Sequence, residues 1–135
     1  MNLLGRTKIV PSIVPVVSNT ALDEAVIDCT GFDRVCHIIA TGAIASTGKL
    51  DYKVEESANS NGSSASAITG AALTQITDTG GSKIYAIDVP VNPAKPYQIA
   101  VGVAATANVA VSAVAVLYEG SGTFPKTAAT QAVIL

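Results

Sequence analysis

The chain has 135 residues, 49% of them hydrophobic and only 13% charged, with 8 Lys plus Arg against 10 Asp plus Glu and a net charge of −2. That length suits one domain, and the charged share is about half the ~25% of an ordinary globular domain. The cations Arg6, Lys8, Arg34, Lys49, Lys53, Lys83, Lys95 and Lys126 are scattered, which argues against a phosphate-neutralising patch and so against a nucleic-acid partner.

Residues 1–20 are predicted to be an extended N-terminal arm. Ile9, Val10, Ile13, Val14, Val16 and Val17 are apolar, but Pro11 and Pro15 remove ladder donors, so the segment is an edge strand at best. It is expected either to lie as a strap across its own domain or to reach onto a neighbouring subunit. The same prolines interrupt the only candidate signal sequence. A start at Met1 fits an unprocessed chain made inside the cell. No run of about 20 apolar residues exists, so no membrane span is expected.

Residues 25–28 form a first strand, ending in the turn Thr30-Gly31-Phe32-Asp33. Residues 34–41 (RVCHIIAT) form a second, running into Gly42. In residues 49–56, Leu50, Tyr52 and Val54 alternate with Asp51, Lys53 and Glu55, the period of a half-buried strand. Residues 57–66 (SANSNGSSAS) can bury nothing and are expected as an exposed loop. A weak strand is expected around Leu73, Gln75 and Ile76, and a stronger one over residues 83–89. Residues 90–96 hold three prolines and form a loop. Strands follow over residues 97–104 and 109–119, joined by a hairpin. The last is apolar on both faces, which predicts burial on both sides or pressure against another subunit. Residues 120–135 are predicted as a C-terminal tail whose apolar end docks on this chain or another.

These elements predict an all-β chain: a single-domain β-sandwich over residues 21–119, jelly-roll or immunoglobulin-like, with about 7–8 strands. A chain so poor in charge is expected to have part of its apolar surface covered by a partner or by its own copies.

Catalytic and metal-binding patterns are weak, and no enzyme and no cofactor is expected. His37 and Cys36 are neighbours on a strand and point to opposite faces, so they make no nucleophile pair. Cys29, Cys36 and His37 give too few ligands, at the wrong spacing, for a zinc module. The cysteines are expected as free thiols packed as small core residues. Asp23, Glu24 and Asp28 lack a calcium-loop pattern. Thr79-Gly80-Gly81-Ser82 lacks the Lys and helix of a phosphate cradle. With no Trp and four Tyr in strand patterns, a sugar-stacking platform is not evident.

The order Gly31-Phe32-Asp33-Arg34-Val35, Gly42-Ala43-Ile44, Gly48-Lys49-Leu50 and Lys53-Val54-Glu55-Glu56-Ser57 before Asn61-Gly62 resembles that of small structural proteins of tailed bacteriophages. So does Tyr97 opening a strand, followed by residues 111–117 (VSAVAVL). The resemblance covers residues 25–118, with no aromatic after the Asn61-Gly62 turn where those proteins often carry one. It implies a capsid decoration (cement) protein on the outer surface of the virion head. The implied partners are the major capsid protein and neighbouring copies of the chain, with a trimer as the expected homo-oligomer, and neither nucleic acid nor membrane is expected. Alternatives are a tail, connector or spike-base subunit, a host- or glycan-binding module, or a self-assembling shell. The expected contact residues are Ile9, Val10, Ile13, Val14, Val16 and Val17 of the arm and Val133, Ile134 and Leu135 of the tail. Removing residues 1–17 is then expected to leave the fold intact.

Overall fold

The computed structural model describes residues 7–118 and the backbone of residues 131–134. Nine strands are placed: β1 Thr7–Ser18, β2 Ala25–Asp28, β3 Arg34–Ile44, β4 Lys49–Ser57, β5 Ser66–Ala72, β6 Ile84–Pro90, β7 Tyr97–Ala105, β8 Val109–Tyr118 and β9 Gln131–Ile134. The only helical element among the described residues is a single 3-10 turn, Asp78–Gly80.

The pairing order defines the fold. β1 pairs with β8, β2 with β7, β3 with β6 and β4 with β5, all antiparallel. The chain is therefore a long double ribbon. It is wound so that β8 also pairs with β3 and β7 with β4. The result is two sheets, β1-β8-β3-β6-β9 and β2-β7-β4-β5. This is the eight-stranded jelly roll, the first of the two sandwiches expected. β9 is an addition, pairing in parallel with the outer edge of β6.

The core lies between the sheets and follows from period-two alternation. Val35, Ile39, Leu50, Ile87, Val89, Val109 and Leu117 are all fully buried. Each such aliphatic side chain contributes about 1.5–3 kcal/mol by burial. Tyr52 joins them with its ring buried and its hydroxyl beside that of Ser12, which reaches in from β1. Gly102 on β7 leaves room that a side chain would fill: a Cβ there would lie 2.8 Å from Leu22 Cδ1 and 3.2 Å from Ile13 Cδ1.

One local expectation changes and two open alternatives are narrowed. Residues 7–18 form an edge strand of the five-stranded sheet, so this part of the arm is a strap on its own domain and not a free segment. The weak strand expected around Leu73 to Ile76 lies earlier, at β5; Ile76 makes only an isolated bridge to Leu50. The displacement has a physical cause. β5 (SAITGAA) is an edge strand with a bulge against β4 and Gly70 at φ 81, so no clean alternation marks it. In the tail, residues 131–134 dock on this chain as β9, whereas residues 119–130 and Leu135 lie outside the described residues.

Candidate interaction surface

The titratable side chains are held in structural roles. Cys29 is buried, Cys36 is partly buried, and both are free. Burial pushes each thiol up to about 11, which keeps both protonated near neutrality. His37 is buried in the core, opposite in direction to Cys36, as their adjacency requires. No cluster of three or more His, Cys, Asp or Glu side chains suited to a metal ion exists among the described residues. No described helix is long and apolar enough to cross a membrane.

The two outer faces of the sandwich differ in chemistry. On the four-stranded sheet, β4 turns Lys49, Asp51, Lys53 and Glu55 outward, and Lys53 Nζ lies 3.1 Å from Glu55 Oε1. Val103 and Val101 of β7 lie in register with Asp51 and Lys53, and Val26 of β2 is 38% exposed, so this face mixes charged and apolar side chains. The other side of β4 carries Leu50, Tyr52 and Val54 inward, as the alternation predicted.

The five-stranded sheet turns a different face outward. β3 presents Cys36, Ile38 and Ala40, which lie in register with Val116, Val114 and Ser112 of β8. On the far side the same β3 residues pair with Asp88, Ala86 and Ile84 of β6. On the near side Ile9 and Pro11 of β1 sit beside Val116 and Val114, and Val17 beside Ala110. Apart from Asp88, these positions are small or apolar from one edge strand across to β6. Ile9 is 49% exposed, Val17 64% and Ile84 50%. The central residues Ile38, Val114 and Val116 are half-buried by one another and still reach solvent.

The charges at the end of this face neutralise each other. Arg34 Nε donates to Asp88 Oδ1 at 2.8 Å, and Arg34 Nη2 lies 2.8 Å from the same oxygen. The Tyr118 hydroxyl donates to the second carboxylate oxygen, Oδ2. Burial first, with Asp88 helping, pushes the Tyr118 phenol up to about 12, so it remains a donor at neutral pH. Both carboxylate oxygens of Asp88 are engaged, so covering this corner strands no bare charge.

The contact residues expected from sequence divide accordingly. Ile9 and Val17 belong to the apolar face. Val14, 70% exposed, and Val16, 41% exposed, lie at the sheet edge, where bulges flank Ile13. Val10 is partly buried and packs against the core. Ile13 is a correction: it is 4% exposed, an inward core residue and not a contact. Its parity was unreadable because two register shifts, between Pro11 and Ile13 and between Ile13 and Val16, break the alternation. Val133 and Ile134 fall in β9, and Leu135 lies outside the described residues. The sequence reading missed Cys36, Ile38, Val114 and Val116 as surface residues. Their signal was the two-sided apolarity of β8 and of residues 34–41.

The sequence matches no protein-family model and no curated protein.

Proposed function

We propose that this chain is a virion structural protein of a tailed phage, a capsid decoration (cement) protein that lies on the outside of the head shell and stabilises it. Its partners in this reading are the major capsid protein and neighbouring copies of itself. The observation that carries the reading is the outer face of the five-stranded sheet, whose centre is apolar, set opposite a face whose β4 strand carries Lys49, Asp51, Lys53 and Glu55. The four strands β1, β8, β3 and β6 at about 4.8 Å spacing and about nine residues at about 3.3 Å rise give a face of roughly 570 Å². One partner in a standard protein–protein interface contributes about 800 Å². A sandwich with one face poor in charge and one that carries charges is suited to lying flat on a larger assembly. Repeated contacts on a symmetric shell then turn modest single affinities into firm attachment. The resemblance of residues 25–118 to small phage structural proteins points the same way.

The test is binding of the purified protein to capsids that lack it, measured by co-sedimentation. Saturable binding over the whole shell, with raised resistance of the shell to heat, is the expected result. Binding confined to vertices or tails would move the protein to another virion position. Binding to bare cells or glycans with none to capsids would replace the reading with a recognition module.

A further inference from the structure

We propose that Asn61 is a site of self-modification, where the backbone nitrogen of Gly62 closes on the Asn61 side chain and converts it to aspartate and isoaspartate. Asn61 is exposed in the loop between β4 and β5. Its side chain is held there, because Asn61 Oδ1 accepts a hydrogen bond from the Ser63 backbone N–H at 3.0 Å. That bond folds the side chain back along the chain and keeps its carbonyl carbon on the same side as the Gly62 nitrogen. A five-membered ring is then one bond from closure. Among Asn2, Asn19, Asn59, Asn61, Asn92 and Asn108, only Asn61 precedes a glycine, the residue with no side chain to crowd the attacking nitrogen. Asn92 precedes Pro93, whose nitrogen has no proton to lose.

The fold itself demands the glycine. Gly62 has a φ of 77°, in the left-handed region that other residues resist. A Cβ there would lie 2.9 Å from Val26 Cγ2 and 3.4 Å from Ile99 Cγ1. The loop is pinned in place: Ser57 Oγ and Asn59 Nδ2 donate to the Ser63 carbonyl at 2.6 and 3.0 Å. One bond opposes the reaction. The Gly62 N–H donates to the Asn59 carbonyl at 2.9 Å, and breaking it slows ring closure by up to about tenfold. The Ser63 bond acts in the other direction. Oδ1 gains negative charge as the ring closes, and a charge-assisted bond is roughly twice as strong as a neutral one. The folded loop should therefore react within about tenfold of the same sequence unfolded.

The step balances with water alone. Hydroxide takes the Gly62 amide proton and the nitrogen attacks Asn61 Cγ. The Cγ–Nδ2 bond breaks, and Nδ2 leaves as ammonia with a proton from water. A second water opens the cyclic imide. Cleavage at Cγ gives aspartate; cleavage at the backbone carbonyl carbon gives isoaspartate, with the chain now running through Cγ. Either product adds one negative charge to a chain of net charge −2. Aspartate still accepts the Ser63 N–H. Isoaspartate lengthens the backbone by one carbon and displaces Gly62 from Val26 and Ile99. The reaction requires neither a capsid nor a partner.

The experiment incubates the full chain at pH 8.5 and at pH 6, beside a synthetic peptide of residues 57–66. Peptide mass spectrometry then locates each amide converted to acid. The expected result is conversion at Asn61, faster at pH 8.5, at a rate within about tenfold of the peptide's. It should yield two products of equal mass and leave Asn59 and Asn92 intact. Asn61→Gln, whose ring would need another member, should abolish the conversion, with far-UV circular dichroism as the check on its fold. An Asn61 that survives while the peptide converts would overturn the proposal. So would a mass shift in this loop that persists in Asn61→Gln.

Discussion

His37 Nε2 lies 2.8 Å from Gln98 Oε1, joining β3 to β7 through the middle of the sandwich. Gln98 Nε2 is turned towards the Pro90 carbonyl, so Oε1 is the atom offered to the histidine. An amide oxygen only accepts, so Nε2 carries the imidazole proton. Nδ1 has no partner and is buried. A second proton would place an unpaired N–H and a positive charge in the apolar core.

Acid sensitivity follows. Burial lowers the His37 pKa to about 4 from its usual 6.5. Between those values the unfolded chain binds the proton and the folded chain does not, so stability falls as pH drops from about 6.5 to about 4. The full effect is about 3 kcal/mol. Urea unfolding at pH 7 and at pH 4.5 should show most of this loss in the natural chain. His37→Gln should flatten the slope in that window, and an unchanged slope would show that other groups carry it.

The strap β1 predicts an asymmetry between neighbours. Ile13→Ala should cost about 2–4 kcal/mol, because a buried side chain is lost and a cavity left. Val14→Ala, one residue on and 70% exposed, should change stability by no more than about 0.5 kcal/mol. Equal effects in chemical denaturation would mean that β1 is not seated in its own sheet. For the same reason, removing residues 1–17 should lower the unfolding midpoint markedly, contrary to the expectation from sequence.

The apolar face makes a prediction about binding. Val114→Lys with Ile38→Lys should abolish capsid binding. Lys53→Ala and Asp51→Ala on the opposite sheet should leave it within about twofold, as rim or remote positions do. Thermal melts of each variant separate lost binding from lost fold. Loss of binding only in the second pair would transfer the contact to the charged face.

The corner cluster can be followed through its phenol. Asp88→Asn removes the carboxylate that holds the Tyr118 proton, so the Tyr118 titration should move down from about 12 towards the ordinary tyrosine value. It should stop short of that value, because burial is the larger cause. Ultraviolet difference titration of Asp88→Asn, with Tyr118→Phe to assign the signal, measures the shift. A phenol that titrates unchanged would mean that Asp88 does not govern it.

Much of this architecture is legible in the sequence, for reasons that differ by strand. β4 declares itself through Leu50, Tyr52 and Val54, because one face is dry and the other wet. β3 and β8 are visible as strands, and their two-sided apolarity points to contact on both faces. What the residues do not disclose is partner choice among strands. Thr7 meets Tyr118 and Arg34 meets Pro90 through pairings distant along the chain, which no local pattern encodes. The jelly roll and the immunoglobulin-like sandwich therefore remained alternatives until the register was known. β5 escaped because Ser, Ala and Gly give an edge strand no contrast between its faces. The adhesive surface was sought in the arm and tail because those segments looked unpartnered. The surface proposed here lies instead on the outward side of strands whose inward side builds the core.

The position of β8 also bears on how the protein comes into being. It lies between β1 and β3 and joins the first strand to the rest of the five-stranded sheet, yet it is synthesised after β2 to β7. Until Tyr118 has emerged, β1 has no neighbour in its sheet, and the paired β3 and β6 stand with an open flank. Such high contact order favours slow, post-translational closure. The nascent chain would hold its apolar strands exposed and depend on its scarce charges, its two edge prolines and prompt closure of the sheet to stay unaggregated.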